Sequence, residues 1–562
     1  MPSALASLHV LVLDGQSTAA TPAHGHLLEL GWARTRALDP DASLAIETHR
    51  LALPPGATIP RPVTRLTGIT LADLDDAEPP AEVWAALLGA LRCGGAPPRV
   101  VIHYARFELP FLRSLHAAWA GDAALPFEPL CTHEIARRLL PALPRRGLRA
   151  LAGYLGLGVD ALKRSAEHVR ATAFVWRALV ERLEHEHGVT TLAALDDWLR
   201  QPAPRRSTRR AYPMDRQRRL SLPDAPGVYR MLRSDGSVLY VGKATSLRRR
   251  VNGYFRQHRR VADRTLEMLT QARDLDVTVT ATALEAALLE SDEIKAHAPP
   301  YNVMLRPRAQ GPWYASPDLR RLADHPEPGC PVGPMSSRAL MEAWAALART
   351  DDPAIAPEPP SLQSWWFEPP PAEIWAEGWT LFRRTWDPSP ASRGPSGLAR
   401  IGARIWQTWR EHDDPRAKDD DPEPPAEPTE PTEPTEPAWD PPRVVAWLER
   451  LVAQGAHELR RAAWLRALST STVTWSRRDH GRRVLVLDRG AVVHRGDLEP
   501  GAPPPAPPPP RDPALDWAGF DRLRVLTTEI RRLVTEGREV HLWCSPRRRL
   551  EGERLARALA WI

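Results

Sequence analysis

The chain has 562 residues, 75 Lys and Arg against 69 Asp and Glu for a formal net charge of +6, and 60 prolines that mark gaps between segments. That length fits about three or four domains, while four scattered cysteines, Cys93, Cys131, Cys330 and Cys544, exclude a Cys-x-x-Cys zinc site and a disulfide framework and suit a reducing compartment. There is no apolar run of about 18 residues and no basic start followed by an apolar stretch, so a cytoplasmic, non-membrane protein is expected. From the N-terminus, LHVLVLDGQST reads as an apolar strand ending near Asp14, and HLLELGWARTRA as a second strand with Glu29 and Gly31 inside it. VVIHYARFELPFLRSL is a strand running into a helix near Arg106, and RSAEHVRATAFVWRALVERL is a long amphipathic helix.

This order of strands and helices, with RLTGIT between, resembles the DEDD superfamily of ribonuclease H-like exonucleases, the DNA polymerase III epsilon type, over about residues 8 to 185. The resemblance implies four carboxylates holding two divalent metals. Here the set is degenerate. Asp14 is followed by Gln16 where the motif has a second acid, Glu108 replaces an aspartate, and Lys163 and His168 stand where the last motif has His and Asp. Glu167 is one residue from the required position, and a one-residue shift turns a helical side chain by about 100°. Residues 1–199 are therefore expected to hold DNA rather than digest it, with a histidine-driven change toward Mn2+ or Zn2+ as the competing reading.

Residues 200–222, rich in Arg and Pro and without hydrophobic periodicity, read as a basic linker. From Gln201 to Arg260 there are 16 Lys and Arg against 3 Asp, which points to a phosphate polymer bound in a salt-dependent way. GVYRML and SVLYVG, separated by a turn at Asp235-Gly236, predict a hairpin. ATSLRRRVNGYF predicts a helix with Leu247, Val251 and Tyr254 on one face and Arg248, Arg249 and Arg250 on the other. LEAALLESDEIK predicts another, with Leu284, Leu288 and Ile294 on a stripe and Glu290 off it.

GVY, LYVGK, the arginine run, ALLESDEIK and PPYN together resemble the GIY-YIG nucleases, in particular the N-terminal incision domain of the UvrC-type excinucleases of bacterial nucleotide excision repair, over roughly 80 residues in 223–306. Carried over position by position, the resemblance implies Tyr229, Tyr240, Lys243, Arg250, Glu290 and Asn302 as the catalytic set, with Glu290 holding Mg2+, and Mn2+ as a substitute. Tyr240 is expected as the base, its pKa lowered by Lys243 and neighbouring arginines, and Tyr229 as a positioning group. Arg248, Arg249 and Arg256 are expected to bind DNA.

Farther on, 307–412 is a Trp- and Pro-rich accessory region whose tryptophans are expected in cores, with base stacking as the sharper alternative. Residues 413–442 form an acidic, proline-rich segment with Thr-Glu-Pro repeats, expected to be a disordered spacer. Residues 443–562 read as an α+β accessory domain with a helix, strands turning near Asp479–Gly481 and at Arg489-Gly490, then helix and strand. The expectation is an α/β multidomain, nucleoid-associated DNA repair endonuclease, with delivery by damage-recognition proteins, loading by a different recruiter and independent loading all left open. The alternatives are a bifunctional 3′-5′ exonuclease and endonuclease, or a non-catalytic DNA-binding scaffold.

Overall fold

The computed structural model describes residues 4–40, 43–92, 98–121, 123–204, 210–256, 261–307, 311–348, 370–386, 394–412, 439–477, 481–509 and 515–562. The chain divides into two compact units. One comprises Met1–Ala225, Tyr229–Val279 and Pro299–Tyr301, the other Pro226–Val228, Thr280–Ala298 and Asn302–Ile562.

In the first unit, β1 (Val10–Ser17), β2 (Leu27–Thr35), β3 (Ile46–Arg50), β4 (Arg99–Ile102) and β5 (Glu128–Cys131) form a mixed sheet of order β3-β2-β1-β4-β5. β1 is antiparallel to β2 and parallel to β4, which is parallel to β5. Helices α1 (Arg61–Thr67) and α2 (Pro80–Leu91) precede β4, and α3 (Ala105–Ala120) follows it. After β5 come α4 (Thr132–Leu139), α5 (Leu148–Leu155), α6 (Ser165–His187) and α7 (Leu192–Arg200). Strand side chains alternate between faces, and β1 uses both. Val10 and Val12 share a core with Val169, Trp176 and Leu179 of α6, whereas Leu11 and Leu13 share one with Trp84 and Leu87 of α2 and Leu112 of α3. The even-numbered face of β1 thus looks toward α6, which decides where Asp14 and Gln16 point.

The expected basic linker contains a short helix, α8 (Arg216–Leu220), whose Arg219 donates to Asn252 Oδ1 at 2.7 Å and whose Arg218 pairs with Asp274 at 3.0 Å. Its residues 205–209 lie outside the described residues. The hairpin forms as expected. β6 (Gly227–Leu232) enters this unit at Tyr229 and turns through Gly236, at φ 82°, into β7 (Val238–Ala244). Then follow α9 (Leu247–Tyr254), capped by Ser246 accepting from the Arg249 N–H, α10 (Asp263–Gln271) and β8 (Asp274–Val279), with sheet order β7-β6-β8. Arg149 of α5 lies 4.6 Å over the Tyr301 ring and 3.5 Å from Glu267 of α10. Arg233 donates to Asp160 at 3.0 Å, and Arg273 to the Tyr154 carbonyl at 2.8 Å. These contacts tie the hairpin segment to the five-stranded sheet's helices.

In the second unit, α11 (Ala283–His297) starts at Thr282, whose side chain accepts from the Glu285 N–H. A small sheet of β9 (Trp313–Ala315), β10 (Leu322–Ala323) and β11 (Val332–Met335), in order β10-β9-β11, leads to α12 (Arg338–Ala348), α13 (Ala372–Trp386), α14 (Gly394–Glu411) and α15 (Pro441–Ser469). Trp344, Trp375, Trp379, Trp406, Trp409 and Trp447 are buried together in the core of these helices. Aromatic burial on this scale accounts for their density in the sequence. The acidic Thr-Glu-Pro segment lies outside the described residues. Last come β12 (Thr472–Ser476), β13 (Arg482–Asp488), β14 (Ala491–Leu498), α16 (Trp517–Thr535), β15 (Val540–Ser545), β16 (Arg548–Glu551) and α17 (Gly552–Ala560). The strands form an antiparallel sheet of order β14-β13-β12-β15-β16. The turn at Arg489-Gly490 is present, both residues having positive φ.

α11 is part of this C-terminal architecture. Leu284 and Leu288 share a core with Trp464, Phe520 and Leu523. Glu285 accepts both Nε and Nη2 of Arg483, each residue under a tenth exposed. Arg522 binds Asp292 at 2.8 Å, and Lys295 binds Asp521 at 3.0 Å. Among the described residues no helix is long and apolar enough to cross a membrane.

Candidate functional site

Three tyrosines converge beside the hairpin of the first unit. Tyr229 on β6 is wholly buried, and its hydroxyl lies 2.8 Å from that of Tyr254 at the end of α9. The Tyr240 ring centroid on β7 is 6.1 Å from that of Tyr229 and 6.5 Å from that of Tyr254. Gly242 makes room for them, because a Cβ there would come within 2.4 Å of the Tyr229 hydroxyl oxygen. Arg250, one turn before Tyr254 on α9, donates toward the Tyr254 hydroxyl at 3.4 Å. Burial alone would lower the Arg250 guanidinium, yet the oxygens of Tyr229 and Tyr254 hold it raised, so it stays charged. Burial, reinforced by Tyr254 and Tyr240, pushes the Tyr229 phenol well above its ordinary value despite Arg250. Tyr229 is therefore a neutral hydroxyl, suited to hydrogen bonding and not to taking a proton.

The remaining basic groups face outward. Lys243 and Arg256 are exposed, and Arg248 and Arg249 both reach Asp224, at 3.2 and 3.4 Å. Exposed pairs of this kind hold each other weakly, so two cations sharing one carboxylate remain available to a phosphate. In the second unit, Glu290 is a half-buried residue of α11 and Asn302 is buried. Of the other acids on α11, Glu285 and Asp292 are committed to Arg483 and Arg522. Sequence reasoning placed Tyr254 only on an apolar stripe. The expectation that Arg250 lies on the opposite face is corrected, because its spacing of four from Tyr254 puts the two on one helix face.

A second cluster lies where β1 meets α6 and α3. Asp14 faces His168 Nδ1 at 3.1 Å and accepts from Gln16 Nε2 at 2.9 Å. Glu108, on the first turn of α3, is buried; burial first and the Asp14 charge second raise its carboxyl well above the usual range. Lys163 is exposed just ahead of α6, and Glu167 is spent on the helix start, its Oε2 accepting from the Lys163 N–H at 2.6 Å. The sequence reading placed Glu29 inside the second strand but gave it no role. Paired with Gln16 across β1 and β2, it is buried and accepts the Arg164 guanidinium as well as the Ser165 N–H and hydroxyl at 2.8 and 2.6 Å. Burial raises its pKa, but Arg164 and Ser165 outweigh that and leave it lowered. An acid inside the otherwise apolar run LLELGW was the signal.

The two-metal chemistry that the exonuclease resemblance implies needs carboxylate oxygens free to coordinate. Here Asp14 is engaged by a histidine and an amide, Glu29 by an arginine, and Glu108 favours its neutral form. Among the described residues no group of three or more His, Cys, Asp and Glu is arranged to hold a metal. The residues present do not fit a metal pair.

The profile of the UvrC-like GIY-YIG domain matches residues 225–303. A protein of Mycobacterium tuberculosis named as a bifunctional exonuclease/endonuclease is 35% identical over 300 residues, 52% of this chain and 44% of the relative, an alignment several times longer than the profile match. The UvrABC system protein C of Alkalilimnicola ehrlichii is 48% identical over 137 residues, 23% of this chain and 22% of its own. The chain thus spans less than half the length of these curated relatives. Among solved structures, the N-terminal GIY-YIG endonuclease domain of UvrC from Thermotoga maritima, bound to magnesium, is 32% identical and covers 16% of this chain and 94% of that one, with a TM-score of 0.15. Residues 225–303 are a UvrC-like GIY-YIG domain, carried in an α/β multidomain chain.

Proposed function

We propose that this protein is a metal-dependent DNA endonuclease that incises phosphodiester bonds in repair, as a nucleotide excision nuclease does, and that its exonuclease-like layer holds DNA. The observation that carries the reading is the GIY-YIG match over 225–303 together with the Tyr229–Tyr254–Arg250 cluster inside it, which runs from the buried Tyr229 through the half-buried Tyr254 to the exposed Arg250. Glu290, a hard oxygen donor on α11, suits Mg2+, with Mn2+ as a substitute. When bound, the cation supplies Lewis-acid charge at a phosphoryl oxygen. Arg250, kept protonated by the tyrosine oxygens, stabilises negative charge that develops on the phosphate. Tyr229 orders Tyr254 and through it the arginine, while Tyr240 activates water with Lys243 near it in sequence, and Asn302 has a structural role. Arg248, Arg249 and Arg256 hold the DNA backbone without reading sequence.

The relative's name favours one other reading, that residues 1–199 also release nucleotides from 3′ ends. Wild type, Glu290→Ala and Asp14→Ala are compared on internally labelled and 3′-labelled DNA, intact and lesion-bearing, with Mg2+ or Mn2+. Internal cuts lost only in Glu290→Ala support the endonuclease with a DNA-holding layer. Single-nucleotide release lost only in Asp14→Ala makes the protein a two-headed nuclease. Binding of DNA with no cleavage under either metal would reduce it to a scaffold.

A further inference from the structure

The first unit has a cavity of about 610 Å3 whose character is opposite to that of the acid cluster. It opens at the C-terminal ends of the parallel strands β4 and β5, and Tyr104, Arg106, His133, Arg137, Arg145 and Arg146 line it. Among the described residues Glu267 is the one acid in that lining. The starts of α3, α4 and α5 border it through Tyr104, His133 and Gly147, and the N-terminal ends of helices favour anions.

The cationic groups are arranged to receive a charge from outside. Among the described residues Arg106 has no acidic partner, and its guanidinium carbon lies 4.3 Å from the Tyr104 ring centroid. Arg146 is fixed by donating to the carbonyl oxygens of Leu140 and Pro141. Arg137 and Arg145 pair at the rim with Glu134 and Asp263, in half-exposed contacts that an incoming anion can exchange. His133 stands edge-on to Tyr104 at 4.9 Å; burial first and Arg146 second keep its imidazole below its ordinary pKa, a sign of the local positive field. Tyr104 itself has φ 65°, a left-handed conformation that costs a non-glycine residue energy and that accumulates at functional positions. Arg106 and Glu108 are two residues apart on α3, so they point about 200° apart. Glu108 is buried beside Gly15 whereas Arg106 is exposed, which separates the cavity from the acid cluster.

We infer that this cavity binds the phosphoryl group of a nucleotide, with Arg106 and Arg146 as its cationic contacts. The phosphate comes either from a DNA strand or from a free mononucleotide. The strand arm rests on the proposal that the exonuclease-like layer holds DNA; the mononucleotide arm does not.

The test uses the full chain, fluorescein-labelled single-stranded dT12, and dTMP observed by saturation-transfer NMR. Arg106→Glu is compared with Arg113→Glu, an exposed residue farther along α3 that makes the same charge change outside the cavity. Loss of a charge-assisted phosphate contact is expected to weaken binding about tenfold in Arg106→Glu, with Arg113→Glu close to wild type. Weakening of dT12 alone assigns the site to a strand, weakening of dTMP alone to a free nucleotide, and weakening of both to either source. Wild-type affinity of Arg106→Glu for both probes overturns the inference and leaves the DNA-holding layer intact if wild type still binds dT12. Equal loss in Arg113→Glu, or no binding of either probe by wild type, also overturns it. Thermal melting of each variant shows that the fold is kept.

Discussion

Tyr229 has no access to solvent, and its hydroxyl is committed to Tyr254. Because burial raises its pKa, it does not titrate near neutral pH, and any rise of incision rate with pH belongs to another group. Tyr229→Phe is expected to lower the rate while leaving the shape of the pH–rate profile between about pH 6 and 9 unchanged, measured as single-turnover cleavage. Gly242→Ala is expected to be worse than its size suggests, since the added methyl would overlap the Tyr229 hydroxyl; overpacking of a core costs about 1–3 kcal/mol. Glu29 supplies the opposite pH lesson. Its folded pKa is lowered, so the stability it contributes is complete above the unfolded value near 4.3 and is lost as pH falls through the lower folded value. Breaking a buried ion pair costs roughly 3 kcal/mol or somewhat more, and Arg164 is partly exposed, so the low end applies to Glu29→Gln. Hydrogen exchange at β2 and the start of α6 should show that deficit at pH 7 and its disappearance under acid.

α6 and the β6–β7 hairpin were legible from sequence because their signals are local: apolar spacing in RSAEHVRATAFVWRALVERL, and an Asp-Gly turn between two short β-branched runs. The amide and the imidazole that meet Asp14 were visible too, as Gln16 and His168. What could not be read was how the remaining acids are neutralised, because Arg164 meets Glu29 across 135 positions and no periodicity encodes that meeting. The same holds for α11. Its apolar stripe was visible, but its partner was not, since Arg483 lies 198 positions from Glu285. Arg483→Met leaves Glu285 buried without its cation and is expected to cost about 3–5 kcal/mol, with incision falling as the helix bearing Glu290 loosens. Glu285→Met combined with Arg483→Met should recover most of that stability, because a well-packed apolar pair can replace a buried ion pair. Denaturant unfolding of the two single variants and the double variant closes the cycle.

At the scale of the whole molecule, the C-terminal sheet and α16 supply the core on which Leu284 and Leu288 rest, and a region with no recognisable chemistry thereby becomes structural support for a candidate metal ligand. A chain cut after Glu411 removes Phe520, Arg483 and Arg522 together. It is expected to bind more of an apolar dye such as ANS than the full chain and to show no incision, whereas a chain retaining residues 443–562 keeps both properties normal. The cations that secure α11 also have a position in time. Arg522 is 230 residues beyond Asp292, and at about 5–20 residues per second of synthesis a newly made α11 waits on the order of tens of seconds for its last partner. A chain assembled in that order stays incomplete while the intervening residues are being made, and the helix bearing Glu290 is secured only once translation has passed α16.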